Sequence, residues 1–175
     1  MAGTAERCDA GAAVVTPGDA GSGDWIARAV VLRPPLVALA LAMSALIGHL
    51  AIWGPNAPFG RTPWGGAALE AIGLGWMLWA WWRFRVAGTP IRPTDRPLRF
   101  VDDGPFRFGR NPMYLGIVVS MLGLALKLGV PTLALAAAAF AAIVQRVHIP
   151  HEEARLREAF GGWYSDYAAS VRRWL

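Results

Sequence analysis

Two short stretches of the chain combine residue types that can bind charge. The first is RNPMY, residues 110–114, at the mouth of an apolar run. Asn111 suits a helix N-cap, and Pro112 suits the first helical position because proline has no N–H to leave unsatisfied there. Backbone N–H groups at such a helix start point outward and favour an anion. Arg110, with Arg107 three residues earlier, could hold a carboxylate or a phosphate, or both could snorkel to lipid phosphates. The second stretch is HEE, residues 151–153. Pro150 predicts a break in the preceding helix and a new helix start, which puts Glu152 and Glu153 in a first turn favoured by the helix dipole. Paired carboxylates there could bind an ammonium or a ribose, or simply cap an interfacial helix pair. Gly161 and Gly162 predict the end of that helix. Trp163, Tyr164, Tyr167 and Val171 then fall on a second short amphipathic helix.

Other candidates carry less. His148 and His151 stand beside Glu152, but Pro150 interrupts the helical register and no third strong ligand is near, so no metal site is expected. His49 reads as a hydrogen-bonded interior residue of an apolar helix. Glu70, in the second apolar segment, either reaches the interface or is an intramembrane acid. Gly73 and Gly75 permit close helix packing and would equally let a ligand approach the backbone. Cys8, the single cysteine, allows neither a disulfide framework nor a thiolate metal site.

The elements that must position these residues are apolar helices. Of 175 residues, 55% are hydrophobic and only 17% charged, a balance far from that of soluble proteins. Four apolar segments are expected to span a bilayer, at about residues 36–53, 67–82, 113–126 and 131–147. The last two are joined by KLGV as a tight helical hairpin. The fold expected is therefore an all-α integral membrane protein of about four spans, with cytoplasmic amphipathic helices over 150–174. Residues 24–175 form one domain behind a disordered small-residue tail, 1–23. Lys127 is the only lysine, and arginines crowd the second loop and the region after residue 146. The positive-inside rule then puts both termini in the cytoplasm of a cell-membrane protein. The arginines sit at helix ends and not along one soluble face, so nucleic acid is not an expected partner.

GPFRFGRNPMYLG (104–116), followed by a helical hairpin and HEEARLREAFGGWYSDYAASVRRWL (151–175), resembles the isoprenylcysteine carboxyl methyltransferase and phospholipid methyltransferase superfamily, over roughly residues 68–175. The upstream AGTPIRPTDRPLRFVDD (87–103) is similar to the connecting loop of its small bacterial members. Arg110, Pro112 and Tyr114 match the first family motif, and Asn111 stands where that motif commonly has histidine. Asn keeps the hydrogen-bonding role but takes no proton at neutral pH. Glu152 and Glu153 match the second motif, with Leu156, Phe160, Gly161, Tyr164 and Tyr167 following in pattern. Gly73 and Gly75 resemble a Gly-x-Gly cofactor motif.

The resemblance implies S-adenosylmethionine as cofactor and a lipidic or amphiphilic methyl acceptor drawn from the membrane. It implies that Arg110 and the helix start over Asn111, Pro112 and Tyr114 receive the cofactor carboxylate, and Glu152 or Glu153 its ammonium. Tyr114, Tyr164 and Tyr167 would offer aromatic faces. Two rivals share the pattern: an NADPH-dependent membrane reductase of the sterol-reductase type, and a non-catalytic membrane adaptor.

Overall fold

The computed structural model describes residues 33–55, 60–87 and 101–175. The expected tail 1–23 and the middle of the second loop lie outside the described residues. Everything described is helix or connecting turn, and no strand occurs among the described residues. Proline opens each of the first four helices at its first turn, where the missing N–H costs nothing. These are α1 (Pro34–Trp53), α2 (Pro63–Val86), α3 (Pro112–Leu128) and α4 (Pro131–Ile143). Two shorter helices follow, α5 (Ile149–Phe160) and α6 (Gly162–Ser170), and a 3-10 turn, Gly104–Arg107, precedes α3.

The helices pack as a row in which α2 lies on α3, α3 on α4, and α4 on α1. The α2–α3 seam is built from glycines seven apart, Gly66 and Gly73 on one helix against Gly123 and Gly116 on the other. A Cβ on Gly73 would lie 2.5 Å from the Ser120 nitrogen and 2.7 Å from the Gly116 carbonyl oxygen. Small residues at this spacing let two backbones meet, which is how helices associate where lipid offers no hydrophobic drive. Lys127 closes one end of the seam with a 2.9 Å ion pair to Glu70. The α3–α4 hairpin turns at Gly129, whose left-handed backbone (φ 70°) lets the Val130 N–H return to the Ala125 carbonyl. The Thr132 hydroxyl donates to the Ala45 carbonyl and fastens α4 to α1. The buried core joins Tyr114 and Met121 of α3 to Ala137 and Phe140 of α4, with Val144 and Ile149 below them.

Outward faces are apolar too. Leu39 and Ile47 of α1 and Ile72, Trp79 and Trp82 of α2 are exposed, which leaves large apolar side chains on the outside of both helices. Two stretches, Pro34–Trp53 and Pro131–Phe160, are long and apolar enough to cross a membrane. Pro112–Leu128 is apolar but shorter. α2 has the length, at 24 residues, but carries Glu70, Arg83 and Arg85.

One expectation is corrected. Pro150 does not break the fourth helix. A π-helical segment, Val144–His148, leads without interruption into α5. Proline cannot donate to the carbonyl four residues back, and its ring crowds that oxygen. The wider π turn just before it relieves the conflict and lets the helix run on to Phe160. The glycine stop occurs where expected, since α5 ends at Phe160 and Gly161 has φ of 55°.

Candidate functional site

RNPMY and HEE meet at one end of the helix row. α3 begins at Pro112 and α5 at Ile149, and the hydroxyl of Tyr114 donates to Oε1 of Glu152 at 2.5 Å. Glu153, one residue on, is 4% exposed and collects guanidinium groups from three elements. Arg110 approaches its Oε1 at 3.1 Å and Arg157, a turn further along α5, its Oε2 at 3.5 Å. Arg173 takes both oxygens, Nε to Oε1 at 3.1 Å and a terminal nitrogen to Oε2 at 2.9 Å. One buried carboxylate shared among three arginines leaves the cluster with an excess of positive charge, an environment that draws a further anion.

Residues 171–175 run on from α6 across the RNPMY turn, bending at Val171 and Arg173. The Arg110 backbone N–H donates to the Arg172 carbonyl at 2.9 Å, and Asn111 Nδ2 donates to the Arg173 carbonyl at 2.9 Å. A second Arg110 nitrogen donates to the Ala168 carbonyl at 2.7 Å. Asn111 therefore occupies the N-cap position without making a side-chain cap; its amide holds the passing segment instead. The Nε of Arg110 is buried and has no hydrogen-bond partner. An orphaned donor on a buried guanidinium is costly unless an acceptor reaches it.

The tyrosines of α6 complete the surroundings. Tyr164 is buried and its ring receives the Arg157 guanidinium at 5.6 Å, while Tyr167 donates to the Phe106 carbonyl at 2.7 Å. Burial pushes both phenols up, so both keep their protons. Burial also pushes the Glu152 carboxyl up, to about 7, against the opposing pull of the Tyr114 hydrogen bond and the Arg155 charge. The hydrogen bond to Glu153 holds Arg173 more firmly charged than usual. On the same face an open cleft of about 370 Å³ is lined by Asp102, Trp163, Asp166, Tyr167 and Ser170. Two carboxylates and two aromatic faces suit a cation.

The structure thus brings together Arg110, Asn111, Pro112, Tyr114, Glu152, Glu153, Tyr164 and Tyr167. Gly73 sits apart, in the α2–α3 seam, and Gly75 points the other way with open space beside it. His148 is buried, and no cluster of three metal-ligating side chains occurs among the described residues. Arg157, Arg173 and the backbone of 168–173 are the parts of the site that motif reading missed. Arg157 within LREAF and Arg173 within the ending RRWL counted toward topology without naming a partner.

The family model described as phospholipid methyltransferase matches residues 62–162, from just before α2 to the start of α6. The chain belongs to the phospholipid methyltransferase family. Membership makes it a membrane methyltransferase, in keeping with its two membrane-length apolar helices. The matched span contains both motifs of the phospholipid methyltransferase pattern and the glycine seam that sets α2 against α3. It stops short of 168–173, whose carbonyls and guanidinium complete the polar cluster. No curated protein and no solved structure gives a significant match.

Proposed function

We propose that the protein transfers a methyl group from S-adenosylmethionine to a lipidic or amphiphilic acceptor, with its polar site open to the cytoplasm. The observation that carries this reading is the buried, unpartnered Nε of Arg110, which awaits an acceptor inside a cluster of excess positive charge. The residues fit the cofactor. Its carboxylate supplies the missing acceptor at Arg110, and its ammonium suits a carboxylate across the site. Of the two glutamates, Glu152 takes that second role, because Glu153 has both oxygens engaged by guanidinium groups.

The bound cofactor supplies a methyl on a sulfonium, and in-line displacement then depends mainly on positioning and on exclusion of water. The chain's own residues do the positioning. Glu153 holds Arg110 in place, Asn111 anchors the segment that covers it, and Tyr114 orients Glu152. Asn111 takes up no proton at neutral pH and binds without acting as a base. The acceptor enters laterally from the bilayer. The four apolar segments support four spans, and the arginine distribution supports placing both termini and the second loop in the cytoplasm of a cell-membrane protein.

Thermal shifts of the detergent-purified protein separate this reading from its rivals. S-adenosylhomocysteine raises the midpoint and NADPH does not. The reverse pattern identifies a reductase, and no shift with either identifies an adaptor.

A further inference from the structure

From the path of residues 171–175 we infer that this segment is a working part of the site and that Arg173 is its positioning residue. The inference rests on the cofactor reading above and extends it to a part of the chain outside the family match. The segment is fastened at Arg172, Arg173 and Trp174. Arg172 and Arg173 give their carbonyls to the Arg110 N–H and the Asn111 amide. The indole of Trp174 donates to Gln145 Oε1 at 2.8 Å and packs against the buried core. Gln145 lies in the π-helical segment, so the irregular turn that accommodates Pro150 also supplies the anchor for Trp174. Gly109 faces the Trp174 carbonyl so closely that any Cβ there would collide with it.

Arg173 gives this arrangement a chemical purpose. Its fork takes both oxygens of Glu153, which fixes the carboxylate plane and leaves Arg110 a single lateral contact to Oε1. Arg110 is thereby held by Glu153 at one nitrogen and Ala168 at another, with Nε left over for a ligand. Without Arg173, only the 3.5 Å contact from Arg157 restrains Oε2, and Glu153 can turn to take Arg110 in the two-point geometry that arginine and carboxylate prefer. The donor kept for the ligand is then consumed. Arg173 touches no ligand itself; it acts by rationing Glu153.

The test uses the full-length protein and three substitutions. Arg173→Ala removes the fork, Arg173→Lys restores the charge without the fork, and Gly109→Ala displaces the segment while keeping Arg173. S-adenosylhomocysteine affinity, by calorimetry, falls at least tenfold in Arg173→Ala and Gly109→Ala, and Arg173→Lys recovers part of the loss. A second readout needs no ligand. The Arg110 amide, bonded to the Arg172 carbonyl, exchanges its hydrogen at least tenfold faster in Arg173→Ala and Gly109→Ala. Binding within twofold of wild type in Arg173→Ala overturns the inference. So does an unchanged Arg110 exchange rate, whether or not the probe binds. If wild type fails to bind S-adenosylhomocysteine, the cofactor reading falls, and Arg110 exchange alone decides the role of the segment.

Discussion

The hydroxyl of Tyr114 donates a 2.5 Å hydrogen bond to Oε1 of Glu152, tying the start of α3 to the start of α5 across 38 residues of chain. The bond joins the two motifs that sequence reading had separately singled out. Tyr114→Phe leaves a half-buried carboxyl without its donor, at a cost of about 1 kcal/mol. The hydrogen bond favours the charged carboxylate, so the loss is larger at pH 8 than at pH 5. Thermal midpoints of the two proteins at both pH values check it.

Glu152 makes stability depend on pH. Its carboxyl is raised from 4.5 to about 7 in the folded protein, chiefly by burial. Between those values the folded state holds a proton that the unfolded state has released. Stability is therefore greatest below about 4.5 for this group, falls as pH rises through about 7, and changes by a few kcal/mol in total. Glu152→Gln flattens that limb in a denaturation series from pH 4.5 to 8. In the cofactor reading an ammonium beside Glu152 favours the ionised form, so S-adenosylhomocysteine binding releases a proton below about pH 7. The same substitution removes that release, which calorimetry in buffers of different ionisation enthalpy detects.

Gly73 and Gly75 are two residues apart and have opposite surroundings. Gly73→Ala drives a methyl into the Ser120 and Gly116 backbone and separates α2 from α3, at about 1–3 kcal/mol for overpacking. Gly75→Ala adds a methyl to open space and gains slightly from helix propensity. Midpoints in a common detergent distinguish them. Equal effects would mean that the seam is not packed as described.

Glu70 and Lys127 test the other end of that seam. Removing either partner leaves a lone charge between two apolar helices, while removing both leaves none. Glu70→Gln and Lys127→Gln alone are each more destabilising than the double substitution. A double-mutant cycle on thermal stability measures the coupling, expected at about 1 kcal/mol.

Much of the fold was legible in the sequence because its signals are local. Pro112 opens its helix as its type predicts, and Gly129 and Gly161 turn the chain, while Pro63 opens α2 four residues ahead of the apolar run that marked the expected segment. Pro150 misled because its local signal is a helix break, while the π turn over Val144–His148 carries the helix past it. Asn111 misled in the same way: its type predicts a cap, and its side chain answers to the Arg173 carbonyl 62 residues away. The meeting of RNPMY with HEE was readable only through resemblance. The role of residues 168–173 was not readable, since carbonyl oxygens carry no residue type and Arg173 looks like any interfacial arginine.

The central claim is that the Arg110 cluster serves methyl transfer, and one measurement addresses it directly. The purified protein in detergent is incubated with methyl-labelled S-adenosylmethionine and total membrane lipid extract, beside an Arg110→Ala variant of unchanged helicity. The account predicts labelled lipid with wild type and a loss of at least a hundredfold with the variant, about 3 kcal/mol of lost binding and positioning. No label with wild type, or equal label with Arg110→Ala, would contradict it.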